Sequence, residues 1–121
     1  MGSKTEGLRI FQKGMDFAVW LLSHTAKFPR SYRFSIAVRT ENAMLDVVEG
    51  IATANYRSER LPVLVRIDER LNTLRILLRL SYQMRLLAAN SYEYGCREID
   101  EIGKLLGGWI RQQKTVAQGR G

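Results

Sequence analysis

Cysteine and histidine are almost missing from this chain: its 121 residues contain one of each, Cys96 and His24. A lone cysteine cannot make an internal disulfide, so a packed core must hold the fold and a reducing compartment is expected. One histidine and one cysteine cannot assemble the ligand set of a structural zinc site. His24 also has no Glu three residues before it, which removes the Glu-x-x-His signature of carboxylate di-iron bundles. The glycines match neither a G-x-x-x-x-G-K-[ST] phosphate loop nor G-x-G-x-x-G. No metal, cofactor or catalytic residue is therefore expected, and the chain reads as a non-enzyme. Long apolar runs are missing too, because arginines interrupt every candidate before the roughly 18 residues of a membrane span. Nor is there a secretory signal, and Glu6 stands where an N-myristoylation pattern wants Ser or Thr. A cytoplasmic protein without a membrane partner is the expectation.

Charge of one sign is what the chain has in surplus. Nineteen Lys and Arg against twelve Asp and Glu leave a net +7 and a pI near 10.0. Such a balance attracts polyanions. A membrane-surface helix would gather lysines on one face opposite Trp and Phe. Here the basic residues are mostly arginine and occur along every helical segment, which favours nucleic acid or an acidic protein. A hydrophobic content of 45% suits one globular domain over residues 1–121.

Apolar periodicity divides the chain into helices over about 8–27, 32–56, 62–88 and 91–113, with a frayed polar tail over 114–121. In the first helix Leu8, Phe11, Met15, Ala18 and Leu22 recur at three and four spacing, with Phe17, Trp20 and Leu21 as a second strip. Pro29 ends that helix and Ser31 is placed to cap the next, which carries Phe34, Val38, Leu45, Val48 and Ile51. Pro62 suits the first turn of the third helix. Asn90, with Glu93 three residues on, fits the boundary between the third and fourth helices. The fourth helix places Tyr92, Cys96, Ile99, Ile102, Leu106 and Trp109 on one stripe. Cys96 there reads as a small core hydrophobe. Short joins make neighbouring helices antiparallel, so the expected fold is an all-α, up-down-up-down four-helix bundle.

The third helix has more apolar surface than one core can use. Leu64, Ile67, Leu71, Leu74 and Leu78 form one face; Ile76, Leu77, Leu80, Met84 and Leu87 form another. An uncovered second face would exceed what monomers usually expose. Self-association is thus expected, with Ile76, Leu77, Leu80 and Met84 as candidate contacts. Gly107 and Trp109 join them, because Gly103, Gly107 and Gly108 weaken a helix unless another backbone comes close or the helix bends. Among the cations, Arg70, Arg75, Arg79, Arg85, Lys104 and Arg111 lie on the same two helices. They are the candidates for contact with nucleic acid or with a polymerase, through phosphates and without base reading.

Several stretches carry a family likeness. Phe28-Pro29-Arg30-Ser31-Tyr32-Arg33-Phe34, Glu41 to Glu49, Leu74 to Leu80 and above all Asp100-Glu101-Ile102-Gly103-Lys104-Leu105-Leu106-Gly107-Gly108-Trp109-Ile110 resemble the accessory variability determinant (Avd) of diversity-generating retroelements. The likeness runs from about Leu8 to Gln113. It implies a bundle that assembles into a pentameric barrel with a positive surface, a reverse transcriptase as partner, and RNA and DNA contact during mutagenic retrohoming. The Phe-Pro-Arg-Ser start of the second helix is shared with four-helix proteins encoded in ribosomal-RNA intervening sequences. A structural oligomer with no polymerase partner is accordingly the alternative.

Overall fold

The structure, a computed structural model, describes residues 2–120 and the side-chain surroundings of residues 5–119. It is a four-helix bundle of α1 (Gly2–Thr25), α2 (Val38–Tyr56), α3 (Leu61–Gln83) and α4 (Ala89–Arg120), with no strand among the described residues. Each helix packs on the next, and α4 returns to α1. The first turns of α1 lie beside the last turn of α2, where the Asn55 amide donates to the Gly7 carbonyl at 3.2 Å. The other ends of the same helices meet where the Thr25 hydroxyl donates to Glu41 at 2.6 Å. Arg70 reaches Asp46 across α2 and α3, Arg75 reaches Asp100 across α3 and α4, and Lys13 reaches Glu98 across α1 and α4.

The core is one column of mainly aliphatic side chains, with Trp109 towards one end and Phe28 towards the other. Ile10, Phe17 and Leu21 come from α1, and Met44, Val47 and Ile51 from α2. Leu64, Ile67, Leu71, Leu74 and Leu78 come from α3, and Ile99, Ile102, Leu106 and Trp109 from α4. The faces expected for the third and fourth helices are the buried ones. For α1 the two strips exchange roles: Phe17 and Leu21 fill the core, while Leu8 and Met15 are exposed. Both strips satisfy the helical period, and the buried one brings Gly7 and Gly14, which let α2 approach closely.

Helix boundaries move for local reasons. The chain does not enter a regular helix at Tyr32: a 3₁₀ turn (Arg30–Tyr32) and a π-turn (Arg33–Ala37) come first, and Ser31 makes no capping bond. The Val38 amide bonds to the Arg33 carbonyl five residues back. This wide turn brings Ile36 and Ala37 inward and leaves Phe34 outside, contrary to its expected core position. Helix α3 stops at Gln83, not near Ala88, and Arg85 takes the left-handed conformation at φ 63°. Its neighbour Leu86 then donates to the Ser81 carbonyl at 2.8 Å, closing the helix end. Asn90 is instead inside the first turn of α4, its side chain accepting from the Ser91 amide at 2.9 Å. At the other end α4 runs on as helix to Arg120, into the segment expected to fray; Gly121 lies outside the described residues. Pro62 stands in the first turn of α3 as anticipated.

Candidate functional site

Outside the core, α3 and the residue that follows it leave Ile76 (68% exposed), Leu80 and Met84 in solvent, whereas Leu77 and Leu87 are buried within the subunit. Leu80, Met84 and Leu77 share a groove of about 270 Å³ with Tyr32 from the 3₁₀ turn, Ser35 and Ile36 from the π-turn and Arg39 from the start of α2. Of the residues read as contacts, then, Ile76, Leu80 and Met84 are on offer at the surface. Trp109 is not: its indole is 0% exposed, so a partner cannot reach it. Its ring serves the core because α4 does not end near Gly107, and the helical period rotates position 109 inward with Ile102 and Leu106.

A second apolar surface lies along the α1 and α2 seam. Leu8 (63% exposed), Met15 and Val19 (71%) recur on one side of α1, with Phe11 and Leu22 half-buried beside them. Opposite, Leu45, Val48 and Tyr56 recur on α2 at three to eight spacing, two of them exposed. Near the Tyr56 end the seam widens into a hollow of about 310 Å³ lined by Leu8, Phe11, Ala52, Asn55 and Tyr56. The sequence does carry a signal for this surface, since Leu8, Phe11, Met15 and Leu22 are evenly spaced. That spacing suits a core strip equally well, because a stripe alone does not say which way it faces.

The seam between α3 and α4 is polar and carries small residues. Arg75 donates to Asn72 at 3.0 Å and reaches Asp100 at 3.5 Å. A Cβ built at Gly103 would lie 3.1 Å from the Arg75 guanidinium, and one at Gly107 would meet only Arg111, at 3.5 Å. No backbone of the same chain approaches Gly107, so its smallness is not used inside the subunit. Tyr82 stacks on Tyr92 at 4.7 Å nearby. The Tyr92 phenol is pushed above its ordinary range, first by its hydrogen bond with the Cys96 thiol and then by burial. Cys96 is half-buried, not a full core member. His24 rests on Trp20, ring centroids 4.0 Å apart, with Nδ1 2.9 Å from the Trp20 carbonyl. No cluster of three or more metal-ligating side chains occurs among the described residues.

The cations divide into paired and unpaired sets. Arg70 lies 3.9 Å from Asp46, Arg75 pairs with Asp100, and Lys104 lies 3.8 Å from Glu101. Among the described residues Arg79, Arg85 and Arg111 make no ion pair, and all three are exposed. Lys27, Arg30, Arg33 and Arg39 are likewise exposed and without a carboxylate partner among the described residues, and the sequence pattern does not single them out as contacts. They surround the junction of α1 and α2, where no Asp or Glu occurs from Ala26 to Thr40. The absence of acids across that stretch is the signal by which they could have been found.

A family model described as bAvd-like matches residues 8–113. No curated protein matches the chain. No described helix is long and apolar enough to cross a membrane.

Proposed function

The chain belongs to the bAvd-like family, and from that membership we propose that it is a non-enzymatic accessory subunit of a diversity-generating retroelement. In this reading it binds the retroelement's reverse transcriptase and nucleic acid, and supports mutagenic cDNA synthesis during retrohoming. The helices are read as an antiparallel, up-down-up-down bundle, a reading supported by the pairings of Gly7 with Asn55, Asp46 with Arg70 and Arg75 with Asp100.

One observation carries the assembly: two exposed apolar surfaces that do not overlap, the α1 and α2 seam and the outer face of α3. A two-fold dimer needs one self-complementary patch. Two different patches that meet head to tail generate a ring when the rotation closes. A pentameric barrel is the ring that the family suggests. Each subunit would bring its +7 charge, and ring formation would let weak phosphate contacts from Arg79, Arg85 and Arg111 add through effective concentration.

Light scattering over a dilution series tests the ring, with a pentamer of 13.9 kDa subunits as the expected mass. Met15→Glu breaks one surface and Leu80→Glu the other, so each variant alone should be monomeric with its helix content intact. Mixed together they should form a dimer, because one intact seam then meets one intact α3 face. A parent that stays monomeric at micromolar concentration removes the ring reading. Co-purification with the reverse transcriptase encoded beside the gene tests the partner. An assembled parent that binds no polymerase returns the reading to a structural oligomer.

A further inference from the structure

We propose that the junction between α1 and α2 is a binding site for single-stranded nucleic acid, with phosphates held by Arg30 and Arg33 and a base stacked on Phe34. The proposal rests on the nucleic-acid reading above and names the surface and strand form that it uses.

The junction stands out by the run of chain around it. Elsewhere Arg70, Arg75, Lys104 and Lys13 face carboxylates within 4 Å, and the unpaired Arg79, Arg85 and Arg111 are scattered from α3 through α4. Here the segment 26–40 contains Lys27, Arg30, Arg33 and Arg39 and no acid at all. The next carboxylate, Glu41, already accepts the Thr25 hydroxyl at 2.6 Å. Paired arginines have little left to offer a phosphate, whereas these junction cations keep their charge and donors available to one.

Phe34 stands among them at 87% exposure. The π-turn makes this position: it directs Ile36 and Ala37 into the core and turns the intervening register outward. An exposed phenyl ring is of no use to a phosphate. It is of use to a base, since every base has a π-face and base–aromatic stacking tolerates sequence. In duplex nucleic acid the bases are already stacked on each other, and a protruding ring has nothing to receive without unstacking. Free guanidinium forks beside an unpartnered aromatic are the combination that follows an unpaired strand. An acidic polypeptide would satisfy the arginines but would make no specific use of the ring.

The test is fluorescence anisotropy of the full chain with a labelled mixed-sequence 20-mer, offered as single-stranded RNA, as single-stranded DNA and as a DNA duplex at several salt concentrations. Both single strands should bind more tightly than the duplex. Phe34→Ala should weaken single-strand binding roughly 5- to 150-fold at any one salt concentration, leaving the salt slope unchanged. Phe34→Trp should restore it. The double variant Arg30→Ala, Arg33→Ala should lower the slope of log K against log salt by about 0.7 for each phosphate left without its arginine. All variants alter exposed side chains, so unchanged melting and assembly mass are expected and are checked alongside.

Binding by Phe34→Ala within twofold of the parent overturns the site. So does equal affinity for duplex and single strand, or loss of assembly in Phe34→Ala, which would make the ring a subunit contact. Polyglutamate that binds with the same dependence on Arg33 and Phe34 would make the surface a site for acidic protein instead. If binding survives here but fails in Arg79→Ala and Arg111→Ala, the nucleic-acid reading stands and this site falls. If the parent binds no strand at low salt, both fall together.

Discussion

At one end of the bundle the indole of Trp109 is sealed among the first turns of α1, the end of α2 and Arg60, whereas at the other Phe34 stands in solvent on a turn of unpaired cations. The sealed end uses each group inward. Gly7 lets the helix approach the Trp109 ring, where a Cβ would lie 3.3 Å from it. Asn55 donates to the carbonyls of both Gly7 and Ile51, each at 3.2 Å. The Arg60 guanidinium lies 5.8 Å from the indole centroid. At the other end Phe28 is buried in the core and Tyr32 packs against it, but Phe34 is committed to nothing within the subunit. Packing accounts for Trp109 and Phe28 and leaves Phe34 unexplained without a partner.

The largest way to break this contrast is Trp109→Ala, which should destabilise the subunit by roughly 3–5 kcal/mol in thermal or urea unfolding. The indole N–H has no hydrogen-bond partner in the structure, so packing and not polar contact supplies that stability. Gly7→Ala comes next, at roughly 1–3 kcal/mol, because the added methyl overlaps the Asn55 side-chain amide and the bond to the Gly7 carbonyl must give. Arg60→Ala should cost about 0.5–1 kcal/mol, the size of an exposed cation–π contact. Phe34→Ala should be neutral to within about 0.5 kcal/mol, as expected for a surface substitution away from any packed feature. Equal destabilisation by Phe34→Ala and Trp109→Ala would show that Phe34 is packed after all.

Gly107→Leu sharpens the picture in another place. Among the described residues only Arg111 comes within 4 Å of a Cβ placed there, and the substitution replaces a poor helix former by a good one. An unassembled subunit should gain up to about 1 kcal/mol in unfolding measurements. Any loss must come from a second chain packed against α4, and would appear as a lower assembly mass.

Much of the core is legible in the residues alone. Ile99, Ile102, Leu106 and Trp109 keep strict helical spacing, as do Leu64, Ile67, Leu71, Leu74 and Leu78, and both stripes are buried. The outer face of α3 is legible in part: Ile76, Leu80 and Met84 stay outside, but Leu77 and Leu87 of the same expected face are buried in the core. The α1 and α2 seam is not, because Leu8, Phe11, Met15 and Leu22 recur as regularly as Ile10, Phe17 and Leu21. The junction arginines are legible only in part: the acid-free stretch from Ala26 to Thr40 is a local signal, but pairing across helices, as between Arg75 and Asp100, is not a local property. Nothing near Arg75 in sequence announces Asp100.

By itself the sequence determined that there are four helices, roughly where they join, that a single cysteine gives them no internal disulfide, and that the net charge is positive. These are consequences of spacing, composition and charge, which act within a few residues or over the chain as a whole. Tertiary structure alone decided which α1 strip is covered, that Arg85 and not Asn90 turns left-handed, that Trp109 is consumed inside the subunit and that Phe34 is not. Each of those depends on how volumes from helices distant in sequence fit together, and a helical period fixes the angle between side chains without fixing which angle faces the core.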